Sequence, residues 1–267
     1  MNKIEIFSSK IKEIYKERGI YYLFLAGLKM AGLIESRHLN NDDKLHNFCW
    51  FLYSKLSGKP LVHVIGDSHA LIFKRKKPFI AHHIGAATAY NLKKEKSTTD
   101  SNRKLFAVLD KINKKRDAVI LSFGEIDCRI HIYNEYMKNN GKFTMAELMD
   151  NTIANYGDVL KQIGAMGVNF FVLGIPAASR RGDAPGVQFY ADPAMRSKIN
   201  GEFNERLKKF CEGKNYKYIN IYPEVSDENG FISEEYIADH THVNDKSVKI
   251  VREFLKSGLR DNHLHRA

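Results

Sequence analysis

From Pro60 onward, short apolar runs alternate with longer segments of helical spacing, a pattern that predicts a parallel sheet covered by helices. Strands are expected at Leu61–Ile65, Phe79–His82, Ala118–Ser122, Asn169–Leu173 and Tyr218–Ile221. Thr144 is followed three residues later by Glu147, a capping box that should start a helix running to about Ala165. Asp192 before Pro193 starts another, running towards Cys211, and a last helix should begin near Asn244 or Asp245 and end before Gly258. Ahead of this regular part, residues 2–17 place Ile4, Phe7, Ile11, Ile14 and Tyr15 at helical spacing, with Lys3, Lys10, Lys12, Glu13 and Lys16 mostly around the other side. Such an amphipathic helix either packs onto the domain or lies on a membrane surface, and Tyr21 to Ile34 could extend either role.

Composition bounds this picture. A chain of 267 residues with 43% hydrophobic content suits one sizeable α/β domain with an extension. Cys49, Cys128 and Cys211 are widely spaced, odd in number and form no C-x-x-C pair, which argues against a disulfide framework or a zinc site and fits a reducing cytoplasm. A formal charge of +11 favours anionic neighbours such as phospholipid head groups, acidic glycans or nucleotide-linked sugars. Nucleic acid is disfavoured, because no zinc-finger spacing, RNP-type aromatic motif or basic heptad region is present. No run of about 18 apolar residues occurs, so no ordinary membrane span is expected. The nearest approach, Gly19 to Ile34, is broken by Lys29 and followed by no small-residue cleavage pattern, so secretion is disfavoured too. The expectation is a cytoplasmic protein, with peripheral membrane contact through residues 1–34 as the sharper alternative.

Two segments carry chemistry. In Leu61-Val62-His63-Val64-Ile65-Gly66-Asp67-Ser68-His69-Ala70 an apolar strand runs into a Gly-Asp-Ser turn and then a helix, which places Ser68 at the carboxyl end of a strand, where ligands of open α/β sheets collect. Its hydroxyl could meet substrate while its own N–H faces a developing oxyanion, but serine is a poor nucleophile without a neighbouring base. The same tripeptide also caps ordinary helices. The second segment, Asp239-His240-Thr241-His242-Val243-Asn244, supplies that base: Asp239 and His242 are three apart, close enough for a turn to set carboxylate against imidazole. Asp67, Asp239, His240 and His242 could also be drawn as metal ligands, yet adjacent and alternate residues on one loop rarely converge and no His-Glu-x-x-His spacing exists. No metal is expected. No cofactor is expected either, since neither Gly-x-Gly-x-x-Gly nor a P-loop occurs.

With these residues in place, the chain resembles the SGNH (GDSL-like) hydrolases: Gly66-Asp67-Ser68 matches the family's first block and Asp239-x-x-His242 its last. The resemblance covers residues 60–260 and implies a three-layer α/β/α flavodoxin-like sandwich with a parallel sheet of about five strands, plus an N-terminal helical extension. The implied domains are an extension, residues 1–55, and a catalytic domain, residues 56–267. Gly85 matches in position the second-block glycine whose N–H joins the oxyanion hole. The third block departs. Where the family has Gly-x-Asn-Asp, this chain has Gly124-Glu125-Ile126-Asp127, and Ile126 cannot donate a hydrogen bond. Losing such a donor costs about 10²–10³ in rate unless another replaces it. Arg129 is the candidate, either as that donor or as a grip on an anionic substrate group; alternatively Glu125, Asp127 and Arg129 form a structural ion-pair network.

Three functions follow from the resemblance. The first is an O-acyl (acetyl) esterase on a carbohydrate, with Ser68, His242 and Asp239 as catalytic residues and the Ser68 and Gly85 N–H groups at the oxyanion. The second is an O-acetyltransferase passing the acyl group to a glycan hydroxyl. The third is a catalytically silent glycan-binding domain. The long loop Pro176–Gly186 should lie at the same sheet edge, where Arg180 and Arg181 would suit a carboxylate- or phosphate-bearing glycan or would only solvate the surface. Few large apolar residues sit in the predicted loops, which favours an acylated carbohydrate over a long-chain lipid.

Overall fold

A computed structural model describes residues 42–182 and 186–264. The helix expected over residues 2–17, and its extension to Ile34, fall outside them. The chain separates into two units, residues 1–59 and 60–267. In the first, helix α1 (Asp42–Ser57) ends where the Ser54 hydroxyl donates to the Lys59 carbonyl at 2.6 Å.

The second unit is a doubly wound α/β sandwich. Strands β1 (Val62–Gly66), β2 (Phe79–His83), β3 (Ala118–Ser122), β4 (Asn169–Leu173) and β5 (Lys217–Ile219) form one sheet, all parallel, in the order β2-β1-β3-β4-β5. Alternate residues enter two cores. On one face Ile65, Val119, Leu121 and Val172 meet α2 (Ser101–Leu109), α4 (Met145–Ala165) and α5 (Pro193–Gly213) through Leu105, Leu160 and Phe203. On the other, Val62, Val64, Ile120 and Phe171 meet α7 (Ser247–Leu264) through Val248, Val251 and Leu255. A sheet covered on both faces needs strands that are apolar throughout, and every residue of β3 is buried.

The helix starts at Thr144 and Asp192 are built as the sequence implied. Thr144 Oγ1 accepts from the Glu147 N–H while Glu147 accepts from the Thr144 N–H, and Asp192 accepts from the Met195 N–H at 2.8 Å ahead of Pro193. Other expectations need correction. The stretch after Ser68 is a six-residue 3₁₀ turn, Ser68–Phe73, rather than a full helix. The last helix starts at Ser247, because Asn244 is engaged in holding the preceding loop, and it continues through Gly258. Strand β5 ends two residues early, since Ile221 leads directly into the short helix α6 (Tyr222–Val225). After β3 the chain forms a π-turn, Asp127–Ile132, that runs on into α3 (Tyr133–Lys138), neither of which the pattern suggested.

Strand order reverses between β1 and β3, so the carboxyl end of β1 is the switch point where open α/β sheets leave a crevice. Gly66 makes the approach there possible: a Cβ at this position would sit 2.3 Å from the Ser122 carbonyl oxygen.

Candidate active site

Ser68 opens the 3₁₀ turn directly after Asp67, whose carboxylate caps it by accepting the His69 N–H at 2.9 Å. Asp67 is fully buried, and burial pushes its pKa up to about 6. Ser68 itself is half-buried, and its Oγ lies 2.8 Å from His242 Nε2.

His242 is delivered by a loop that closes on itself. Ile237 bridges Val243, the Ala238 N–H donates to the His242 carbonyl at 3.0 Å, and the Asn244 N–H donates to the Tyr236 carbonyl at 2.7 Å. At the tip, Asp239 Oδ1 accepts the N–H groups of both Thr241 and His242 at 2.8 Å, the local turn that an aspartate forms with residues two and three further on. That turn swings the carboxylate onto the ring, with His242 Nδ1 at 2.8 Å from Oδ2 and 3.0 Å from Oδ1. Buried Val243 anchors the loop against Ala177, Val225 and Ile232.

The electrostatics follow. Partial burial works against the Asp239 charge, but the two N–H groups and the imidazole win and hold its pKa down to about 2. Burial, and after it the positive charge on His69, keep His242 below the ordinary imidazole value despite Asp239. A carboxylate at Nδ1 fixes the proton there, which leaves Nε2 as an acceptor for the Ser68 hydroxyl. This arrangement can take a proton from Ser68 and stabilise the resulting imidazolium.

Two backbone donors stand at this end of the sheet. Neither the Ser68 N–H nor the Gly85 N–H donates to a protein acceptor among the described residues. Gly85 has φ +101°, and the Ile84 N–H just before it donates to the Gly66 carbonyl at 3.0 Å, which holds this loop against the end of β1.

At the end of β3, Ile126 is a buried apolar side chain and offers no side-chain donor. Arg129 donates from Nε to Glu125 Oε1 at 2.7 Å and from Nη1 to the Gln188 carbonyl at 3.0 Å. Of the roles left open for Arg129, this geometry matches the ion pair with Glu125. Asp127 stands apart from that pair: its buried carboxylate accepts the Ala89 and Tyr90 N–H groups at 2.7 and 3.1 Å, and burial pushes its pKa up to about 7. Arg180 donates to Asp227 at 2.7 Å and stacks over Phe231 at 4.3 Å, whereas Arg181 is exposed. His240 Nδ1 lies 3.1 Å from the Gly182 carbonyl oxygen, away from the Ser68–His242 contact.

His69, read in the sequence only as the end of the Gly-Asp-Ser-His run, has a place of its own in the site. It is 5% exposed, its ring centroid lies 4.6 Å from that of His242, and its Nε2 is 3.4 Å from Glu125 Oε2, an ion pair too poorly aligned for a hydrogen bond. Burial opposes a charge on it, yet Glu125 and Asp67 outweigh burial and raise its pKa. Burial likewise opposes the Glu125 charge, but His69 and Arg129 hold that carboxyl down to about 2. Its signal in the sequence was its place directly after Ser68, in Gly66-Asp67-Ser68-His69.

No family model matches the chain, and no curated protein matches it in sequence. Solved structures do match. A Streptococcus pneumonia protein provisionally named as a platelet activating factor aligns over 86% of this chain and 98% of its own, at 15% identity and a TM-score of 0.50. A GDSL-like lipase from Bacteroides thetaiotaomicron aligns over 80% and 98%, at 16% identity and a TM-score of 0.48. An acetylxylan esterase from Geobacillus stearothermophilus aligns over 74% and 93%, at 13% identity and a TM-score of 0.45. At these identities the likeness is one of fold alone.

Proposed function

We propose that the chain is a serine-dependent ester hydrolase acting on an O-acylated carbohydrate. The observation that carries this reading is the unbroken chain of contacts from Asp239 through His242 to Ser68, 2.8 Å at each step. Ser68 Oγ attacks the acyl carbon as its proton passes to His242 Nε2. The Ser68 and Gly85 N–H groups receive the oxyanion, and His242 returns the proton to the departing sugar hydroxyl. Water, activated by the same imidazole, then releases the acyl group from Ser68 and regenerates the serine. With Ile126 in the third block the oxyanion has two backbone donors in place of the family's three, which predicts a slow enzyme on unspecific esters.

The carbohydrate side of the proposal rests on the polar character of the surroundings: a small recess beside the loop of His242 is lined by Glu125, Arg129, Ser179, Arg196, Asn200, His240 and Thr241 with only two alanines. A long acyl chain would find little apolar surface there. The test is turnover of p-nitrophenyl acetate by wild type and Ser68→Ala, followed by a neutral O-acetylated oligosaccharide. Turnover is expected only with Ser68 present, and wild-type rates in Ser68→Ala would end the serine mechanism.

A further inference from the structure

A cleft of about 410 Å³ opens at the same end of the sheet as Ser68, and nothing in the ester chemistry has used it. Its walls are the loop after β2, with Tyr90 and Asn91, the segment after β3, with His131 and Asn134, and the approach to α4 and its first turns, with Phe143 and Asn151. Strands β2 and β3 flank β1 on either side, so both loops leave the sheet at the edge where Ser68 stands. Asp127 ties the two walls together, because its carboxylate on the β3 side accepts the Ala89 and Tyr90 N–H groups of the β2 loop. The shape is therefore pre-formed.

The chemistry of the lining is selective. Tyr90 and Phe143 are 42% and 45% exposed, large aromatic surfaces left open to water, although Lys94 sits over one face of Tyr90 at 5.2 Å. The side-chain amides of Asn91, Asn134 and Asn151 make no hydrogen bond to the other described residues. On a chain of net charge +11 the cleft is lined by no lysine or arginine; its ionisable groups are Glu135, Asp127 and His131. Aromatic faces accept the C–H faces of a pyranose, and amides, which donate and accept at once, match vicinal hydroxyls. An anionic sugar would meet Glu135 in the lining itself, where the nearby Lys94 ammonium is engaged with the Tyr90 ring. A quaternary ammonium would use the aromatics and Glu135 but leave three amides without partners.

We propose that this cleft binds a neutral pyranose unit of the acylated carbohydrate, which deepens and rests on the esterase reading. The general basicity of the chain, which first suggested an acidic glycan, does not extend to this cleft.

The experiment uses the full chain as Ser68→Ala, so that no turnover alters the ligand. Cellotriose, xylotriose and N,N′,N″-triacetylchitotriose serve as neutral probes, trigalacturonate as the anionic probe and choline as the cationic one, each followed by saturation-transfer NMR and titration of the asparagine side-chain amide signals. At least one neutral trisaccharide should bind, and Tyr90→Ala and Asn151→Ala should each weaken it by about tenfold, the size of one lost stacking or hydrogen-bonding contact. Both residues are exposed, so a folded variant is expected and is checked by its amide spectrum. Binding of none of the neutral sugars, preference for trigalacturonate or choline, or affinity unchanged in both variants would overturn the assignment. Failure of the esterase reading shows separately, as wild-type inertness towards p-nitrophenyl acetate, and leaves the binding result readable.

Discussion

At the end of β1, Ser68 meets His242 and Asp239 through hydrogen bonds of 2.8 Å, with Ser68 half-buried and Asp239 exposed. At the end of β3, one strand away, Glu125 pairs with Arg129 and reaches back to His69 at the β1 end, and among the described residues Glu125 Oε2, Asp67 Oδ2 and both His69 ring nitrogens lack a hydrogen-bond partner. The first group can exchange protons with a substrate. The second is charged and only partly satisfied by the described residues, a costly arrangement that persists only if the surrounding structure over-determines it. The contrast assigns bond-making to the β1 end and electrostatic support to the β3 end, and each part of that assignment can be attacked.

The largest effect should come from the β1 end. Ser68→Ala or His242→Ala should lower kcat on p-nitrophenyl acetate by about 10⁴-fold or more, with the melting temperature almost unchanged. Asp239→Asn should cost comparable or less activity, about 10⁴-fold at most, since it disturbs the tautomer of His242 without removing the nucleophile. Near wild-type rates in these variants would erase the distinction between the two ends.

At the β3 end stability should respond first. Glu125→Ala leaves the half-buried Arg129 with the Gln188 carbonyl alone and the buried His69 without its carboxylate, an expected loss of about 3–5 kcal/mol. For a domain of this size that corresponds to a melting temperature lower by roughly 10 °C. Adding Arg129→Met should recover part of the loss, because exchanging both partners of a buried pair for apolar groups is far milder than removing one. Thermal unfolding of the single and double variants checks this; a Glu125→Ala protein as stable as wild type would mean the cluster is not the support it is taken to be.

The smallest effect links the two ends. His242 faces Asp239 on its own loop, His69 on the turn after β1 and Glu125 at the end of β3. The positive charge on His69 opposes protonation of His242, so its removal lets His242 hold a proton to higher pH. The base must be neutral to act, hence the acid limb of the kcat/KM profile should move upward in His69→Gln, by less than about one pH unit. A shift downward, or none, would separate His69 from the base.

Much of the fold was legible because its code is local. Strands buried on both faces read as continuous apolar runs, so β3 and β4 were readable to the residue, and the Thr144 and Asp192 caps are satisfied within a single turn. The juxtaposition of Asp239 and His242 was legible for the same reason, three residues closing one turn. What escaped the sequence depends on contacts far along the chain. Arg129 could be drawn as an oxyanion donor or a structural ion only until Gln188, 59 residues away, is seen to accept from it. The π-turn after Asp127 is held by the loop at Ala89 and Tyr90, 38 and 37 residues earlier, and no periodicity announces such a tie. His69 looked like one more member of a motif because its neighbour His242 stands at the other end of the domain.

The central claim is that Ser68 is a nucleophile activated by His242. Reaction of the wild-type chain with a fluorophosphonate, followed by peptide mass spectrometry, tests it most directly, because such reagents form a stable bond only with an activated hydroxyl. The account predicts one phosphonyl group per chain, located on Ser68, and its near-complete loss in His242→Ala. Labelling at another residue, no labelling of an enzyme that still hydrolyses p-nitrophenyl acetate, or equal labelling without His242 would contradict it.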